Sequence, residues 1–199
     1  ASVYKDLAMV YHHNFLNIPS ERLKYIKKAE ALFNSVERPN LDYLLGVYND
    51  LSEYEKRQGN YKTAAGYLNK GLKIYQNNAE ETQRYRMGKI GVKKELQFHS
   101  ALMEIYRKTG EEALILYHFE EMKKINSLND LDDIETDFYA TAHIILSKFY
   151  YSIDNDKALL FLNEGLKIHK NLSFEKFEEE FTVAKINIYI DQQRFLKAQ

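Results

Sequence analysis

The chain has 199 residues, of which 45% are hydrophobic and 29% charged, enough to build a core and to solvate its surface. Its 28 Lys and Arg against 29 Asp and Glu give a net charge of −1, without the basic excess typical of nucleic-acid binders. The absence of Cys excludes disulfides, thiol catalysis and Cys-ligated zinc, and no apolar run reaches the roughly 18 residues that predict a membrane span.

Two helices are predicted to open the chain. The first has one apolar face, made of Tyr4, Leu7, Ala8 and Tyr11. Pro19 and Ser20 are typical of the start of the second helix. Its apolar stripe consists of Leu23, Ile26, Ala29, Leu32 and Phe33.

The next pair of helices has the clearest boundaries. Asn40 is predicted to cap a helix that runs to Gln58, and Gly59-Asn60 turns the chain into a second helix over 61–77. Because Gly in a helix interior costs roughly 1 kcal/mol relative to Ala, Gly71 indicates a close approach by a neighbouring helix. The buried face of the second helix is predicted to be Tyr61, Ala64, Ala65, Leu68, Gly71, Leu72 and Tyr75.

The segment 79–109 is compatible with one helix or two, with Gly88 and Gly91 as the places for a bend. A partner helix, 111–127, follows Gly110, and the acidic stretch 129–137 is predicted to be a solvated linker. The apolar face of the later part of 79–109 consists of His99, Leu102, Met103 and Tyr106.

A fourth hairpin is predicted around a turn at Asp154-Asn155. A further helix is expected from Ser173, and 193–199 resembles the opening of one more, so we expect the chain to be a fragment of a longer protein. The apolar positions of the fourth hairpin are Ala142, Ile145, Leu146 and Phe149, then Ala158, Leu162, Gly165, Leu166 and Ile168.

One segment of the chain is nearly repeated. YLNKGLKIYQN at 67–77 returns as FLNEGLKIHKN at 161–171, which places Gly165 where the first copy has Gly71. Internal similarity of helical hairpins is the signature of a repeat array. The sequence therefore predicts an all-α array of helical hairpins.

The array resembles the tetratricopeptide repeat. In the best repeat the pattern is met by Tyr48, Leu51, Ser52, Gly59, Tyr61, Ala64, Leu68 and Gly71. This resemblance implies a right-handed α-α superhelix of about four to five hairpins, forming one repeat domain over 1–199. The elongated, irregularly spaced helices look most like the sensory repeat regions of bacterial regulators and signalling proteins.

The resemblance also implies where partners bind, because the first helices of such repeats line a concave groove that takes proteins or peptides. The mixed signs of Glu53, Glu104 and Arg107 suggest a partner of mixed charge. By register, the groove-facing residues are Lys5, His12, Asn49, Glu53, Lys56, Ser100, Glu104, Arg107, His143, Ser147, Tyr150 and Asn187.

Residue patterns for chemistry are weak throughout. His12 and His13 point about 100° apart on a helix and cannot readily share a metal ion, and the other His residues are scattered. The acidic stretch lacks the central Gly and closing Glu of a calcium loop. We therefore expect no metal, no cofactor and no catalytic centre, and no nucleic-acid contact.

An enzyme is disfavoured, because the sequence places no acid–base pair. Two other functions remain open. The first is a protein- or peptide-binding module, the sensory or scaffolding region of a bacterial transcription regulator or signalling protein. The alternative is self-association through an exposed terminal repeat, giving a homodimer. Absence of Cys leaves the compartment open between cytoplasm and periplasm.

Overall fold

The computed structural model describes residues 19–35, 40–77, 90–128 and 131–169. Over these ranges the chain is all-α, as predicted, with seven helices and no strand. The helices are α1 (Pro19–Asn34), α2 (Leu41–Arg57), α3 (Tyr61–Asn77), α4 (Ile90–Thr109), α5 (Glu112–Leu128), α6 (Asp133–Tyr150) and α7 (Asn155–His169). The chain divides into two compact units, Ala1–Phe98 and His99–Gln199, and the boundary falls within α4.

In the first unit, α1 packs on α2 through interleaved apolar side chains. The predicted stripe of α1 is confirmed at its centre, whereas Leu32 lies 40% exposed, because the buried face follows the spacing Ile26, Ala29, Phe33. This core consists of Ile26, Ala29, Phe33, Leu44, Val47, Tyr48 and Leu51.

The hairpin of α2 and α3 has the boundaries that local sequence signals predict. The side chain of Asn40 accepts a hydrogen bond from the backbone N–H of Tyr43, which caps α2. Gly59 has φ of +77°, a conformation that favours Gly over residues with a Cβ, and the chain reverses there into α3.

Gly71 lies where α3 meets Phe98 of α4. A Cβ on Gly71 would stand 3.0 Å from the Phe98 Cζ atom and 3.6 Å from Leu45 Cδ2. Phe98 is itself 2% exposed, so its ring has little room to retreat. The small residue predicted here for packing reasons does provide a close approach between helices.

The second unit contains the end of α4 and the helices α5, α6 and α7. Gly110, with φ of +79°, turns the chain from α4 into α5. Phe119 of α5 contacts three aromatic side chains of α6 and α7: it stacks on Tyr139 and meets His143 and Phe161 edge to face.

The described part of the acidic stretch, 131–137, is a helix start rather than a solvated linker. The Asp132 side chain accepts hydrogen bonds from the backbone N–H groups of Ile134 and Glu135, and Glu135 accepts one from the Asp132 N–H in return. This reciprocal pair is a capping box, which Asp132 and Glu135 form because they stand three residues apart. The prediction of a linker was based on the charge of these carboxylates and not on their spacing.

Several expectations lie outside the described residues. They are the opening helix, the bend at Gly88 and everything from residue 170 onward. Gly91, the other proposed bend, lies inside α4, the second residue of a helix that begins at Ile90.

Candidate interaction surface

In the first unit, the register-predicted groove residues of α2 form one half-buried polar strip. Asn49, Glu53 and Lys56 follow one another at spacings of four and three, which places them on one side of the helix. Lys56 donates from Nζ to the Glu53 carboxylate within the same helix. This strip, Asn49, Glu53 and Lys56, is hereafter called the α2 strip.

In the second unit, α4 carries a corresponding ion pair. Arg107 donates to Glu104 through two atoms, from Nε to Oε2 at 2.8 Å and from Nη2 to Oε1 at 2.7 Å. The side chains of Arg107 and Glu104 are 19% and 33% exposed, so both remain partly accessible. Ser100, the third predicted residue of this helix, is 8% exposed and offers a partner little surface.

The two pairs occupy equivalent places in their hairpins. Glu53 precedes the turn Gly59 by the same six residues that separate Glu104 from Gly110, and each Glu meets a cation three residues later. Ion pairs of this kind, within a helix and in contact with water, contribute only about 0.3–0.5 kcal/mol. A partner's charges can therefore replace either pair at small cost.

The equivalent residues of α6 are buried. The Tyr150 hydroxyl donates to Glu112 Oε1 at 2.6 Å and its ring stacks on Phe161 of α7, while Lys157 lies over that ring. Ser147 is 1% exposed. These side chains belong to the packing of α5, α6 and α7, so Tyr150, for which we expected exposure to the groove, has its hydroxyl already engaged.

His143 is likewise part of this packing. Its Nδ1 atom lies 2.9 Å from the Tyr139 carbonyl oxygen, and its ring meets Phe119 edge to face. Burial lowers the pKa of His143, opposed by its bond to the Tyr139 carbonyl and by Glu164. We leave Ser100, His143, Ser147 and Tyr150 out of the candidate surface, while Lys5, His12 and Asn187 lie outside the described residues.

The structure also brings together two polar pairs that the sequence reading did not predict. Arg22 of α1 lies 3.4 Å from Asp50 of α2, measured from Nη2 to Oδ1. In the second unit, His99 of α4 and His118 of α5 lie 2.8 Å apart at their Nδ1 atoms. Arg22 precedes Ile26 by four residues, so the apolar period of α1 already carried the signal that its side chain lies on the buried face.

The described residues contain no group of three or more His, Cys, Asp or Glu that could hold a metal ion. None of the helices in this part of the chain is long and apolar enough to cross a membrane.

Comparison with known proteins gives a fold relationship. No protein-family model and no curated protein matches the chain. The chain is similar to a solved structure titled the crystal structure of BtubC (BKLC) from P. vanneervenii, with a TM-score of 0.61 at 19% sequence identity. The alignment covers 99% of this chain and 83% of the other. At this identity the likeness concerns the fold alone, because function resides in particular side chains.

Proposed function

We propose that the chain is a protein- or peptide-binding module of tetratricopeptide-like hairpins, the sensory or scaffolding region of a bacterial transcription regulator or signalling protein. Right-handed superhelical stacking, implied by the family resemblance, is part of this proposal. The module has no catalysis of its own, and binding is its contribution to a larger protein.

A half-buried ion pair at the same place in two hairpins carries this proposal. Glu53–Lys56 and Glu104–Arg107 are partly withdrawn from water, and each lies on a regular helix that holds its backbone in place. Charges that are partly desolvated before binding lose less hydration when a partner arrives. Both helices carry acidic and basic groups, which fits a partner of mixed charge.

The test is selection from a random peptide library on the immobilised full chain, followed by calorimetric titration of the selected peptides. Glu53→Lys and Glu104→Lys are each expected to weaken binding by about tenfold. Each reversal places a Lys where the native Glu would attract a positive group of the partner, so that two like charges meet. Glu120→Lys is the matched control. It disrupts the Glu120–Lys123 pair, which has the same spacing but lies on α5 and is about half exposed on both sides.

Two outcomes would contradict the assignment of this surface. One is unchanged affinity in both reversed variants, with the helical circular dichroism of the native chain. The other is an equal loss in the Glu120→Lys control, which would show an effect of net charge rather than of position. Failure to select any peptide would count against the module function itself.

Membership in a larger regulator has a separate test, the sequence of the reading frame on both sides of this segment. A neighbouring kinase or DNA-binding region would support the proposal. A free-standing frame would replace the regulator with a separate adaptor.

Self-association is the second candidate, and a set of exposed apolar side chains in the second unit favours it. Leu128, Ile153 and Leu160 are 81%, 64% and 55% exposed. Packing against a second copy of the chain would remove these side chains from water. A dimer mass in sedimentation equilibrium at high micromolar concentration, lost in Leu160→Glu, would support this function, and a monomer mass would remove it.

A further inference from the structure

One side of α5 exposes apolar side chains along almost its whole length. Leu114, Tyr117 and Leu128 are 37%, 53% and 81% exposed. Ile115 and Met122, on another side of the same helix, are fully buried in the second unit. The helix therefore packs on its own unit through one side and leaves a second apolar side in water, where a covering surface would be favourable.

The exposed side has the spacing of a coiled-coil seam. Leu114, Tyr117, Glu121, Lys124 and Leu128 follow one another at intervals of three, four, three and four residues. Residues at these intervals lie on one side of a helix, as the a and d positions of a heptad repeat do. These five residues are hereafter called the α5 seam. A surface with this spacing is suited to packing lengthwise against another helix.

Two opposite charges lie at the centre of the α5 seam. Lys124 Nζ lies 2.5 Å from Glu121 Oε1, and the side chains of Lys124 and Glu121 are 66% and 28% exposed. Because a solvated pair within one helix contributes little to stability, its members lose little when they turn to the charges of a second helix. Polar residues at a and d positions specify the register of the helices that pack there. The charges therefore indicate which helix fits the α5 seam.

The α5 seam is complementary to itself in the antiparallel orientation. When two copies are aligned about a two-fold axis through the middle of the seam, Glu121 of each copy lies opposite Lys124 of the other. The same alignment places Tyr117 of each copy opposite Leu128 of the other. In a parallel pair Glu121 would face Glu121 and Lys124 would face Lys124, which like-charge repulsion disfavours.

We infer that two copies of this chain form an antiparallel dimer through the α5 seam. Tyr117 and Leu128 of each copy leave water at the two ends of the contact, and the four charges at its centre alternate in sign. The contact is one helix long, as in small transient interfaces, so we expect a dissociation constant on the order of 100 μM. The inference rests on the second proposed function, self-association, and assigns a surface to it.

Cross-linking of the full chain tests the orientation, because the chain has no Cys of its own. Tyr117→Cys and Leu128→Cys are prepared separately, one of them with an affinity tag, then mixed at high micromolar concentration and oxidised. We expect disulfide-linked dimers with one chain of each variant, formed about tenfold faster than dimers of either variant alone. In a dimer of one variant the two sulfurs would lie about 16 Å apart along the helices, whereas a disulfide needs Cα atoms within about 7 Å.

Leu160→Cys is the matched control for random collision, since Leu160 is 55% exposed but lies on α7. Mixed with Leu128→Cys, it is expected to cross-link no faster than either variant alone. Equal rates in the control mixture and in the Tyr117→Cys mixture would overturn the inference. Preferential linking of identical variants, the result expected of parallel helices, would overturn it as well.

Charge reversal tests the centre of the contact by sedimentation equilibrium. Lys124→Glu is expected to weaken dimerisation by about tenfold, because four carboxylates then face one another. Adding Glu121→Lys to it restores opposite charges across the two-fold axis, and this double variant is expected to dimerise within about threefold of the native chain. That recovery cannot come from unfolding.

Lys123→Glu is the control for net charge. It reverses the same charge at the next residue, whose side chain points about 100° away on the helix, and it is expected to dimerise like the native chain. An equal loss in Lys123→Glu would overturn the inference. A double variant as weak as Lys124→Glu alone would also overturn it.

The outcomes separate this inference from the functions proposed above. A monomer mass of the native chain at high micromolar concentration would remove both the α5 dimer and self-association, and would leave peptide binding untouched. A dimer that Leu160→Glu abolishes and Lys124→Glu leaves intact would support self-association through another surface and overturn the α5 seam as the interface.

Discussion

His99 and His118 form a hydrogen bond between their Nδ1 atoms, 2.8 Å apart, across the α4–α5 hairpin of the second unit. One ring must donate and the other accept, so one of the two Nδ1 atoms carries a proton and the other does not. The His118 ring also stacks on Tyr106 and meets Tyr117 edge to face. Aromatic rings thus enclose the pair, and they do not replace the water that would solvate the positive charge of a protonated imidazole.

This pair predicts a loss of stability in acid. Burial lowers the pKa of His99 to about 4, opposed by Glu121, and burial together with the neighbouring His99 lowers that of His118 to about 3. In the unfolded chain the two histidines bind protons as the pH falls below about 6.5, whereas in the folded chain they remain neutral there. Titration of the pair therefore leaves the free energy of unfolding unchanged above pH 6.5. The free energy of unfolding falls as the pH drops toward 4, by about 3 kcal/mol for His99 alone.

The measurement is urea denaturation between pH 7 and pH 4 of the native chain and of the double variant His99→Asn, His118→Asn. We expect a flatter dependence of the unfolding free energy on pH in the variant, because its buried amides do not titrate. Parallel curves for the two proteins would show that the histidines do not govern the acid response.

Gly71→Ala is predicted to destabilise the first unit, by about 1 kcal/mol, although Ala is the better helix former. The new methyl group would meet the buried Phe98 ring at 3.0 Å. Gly66→Ala in the same helix is the control, since nothing lies within 4 Å of its Cβ position, and it is expected to stabilise by up to about 1 kcal/mol. Equal unfolding free energies of the two variants in chemical denaturation would contradict the tight contact.

Tyr150→Phe is predicted to cost about 1 kcal/mol, because it removes the hydrogen bond from the Tyr150 hydroxyl to Glu112 at 2.6 Å. Burial, together with Glu112, raises the pKa of this hydroxyl to about 12. A double-mutant cycle with Glu112→Ala should give a coupling free energy of similar size from denaturation curves. Tyr117→Phe, at a ring that is 53% exposed, should leave stability unchanged. A coupling of zero would mean that the contact contributes nothing.

Asp132→Ala is predicted to destabilise the start of α6 by about 1 kcal/mol, because it removes one half of the capping box. Asp132→Asn should remain close to the native chain, since Asn caps a helix about equally well. Hydrogen exchange of the Ile134 and Glu135 amides reports the loss directly. Protection that is unchanged in Asp132→Ala would show that the cap is dispensable.

Where the sequence was informative, the deciding interactions are local. The caps at Asn40 and the turns at Gly59 and Gly110 involve residues within a few positions of one another, so helix boundaries could be read from the chain. The same reasoning applied to Asp132 and Glu135 would have predicted the start of α6, because a capping box is visible in sequence.

The candidate surface was predicted only in part, for a tertiary reason. Repeat register selected Glu53, Glu104 and Tyr150 by the same rule, yet the first two keep a third of their exposure and Tyr150 is 4% exposed. The difference arises because Phe161 and Glu112, far from Tyr150 in sequence, pack against it. Register specifies the side of a helix, not what covers it.

The sequence by itself determined that the described part of this protein is all-α, where its helices turn and which small residue, Gly71, lets a neighbouring helix approach closely. Those features follow from backbone conformation and from periodicity within one or two helices. Only the tertiary structure decided that His99 faces His118 and that Arg22 meets a single distant carboxylate. Such pairs depend on how helices are rotated against each other, a geometry set by the fit of many apolar side chains at once.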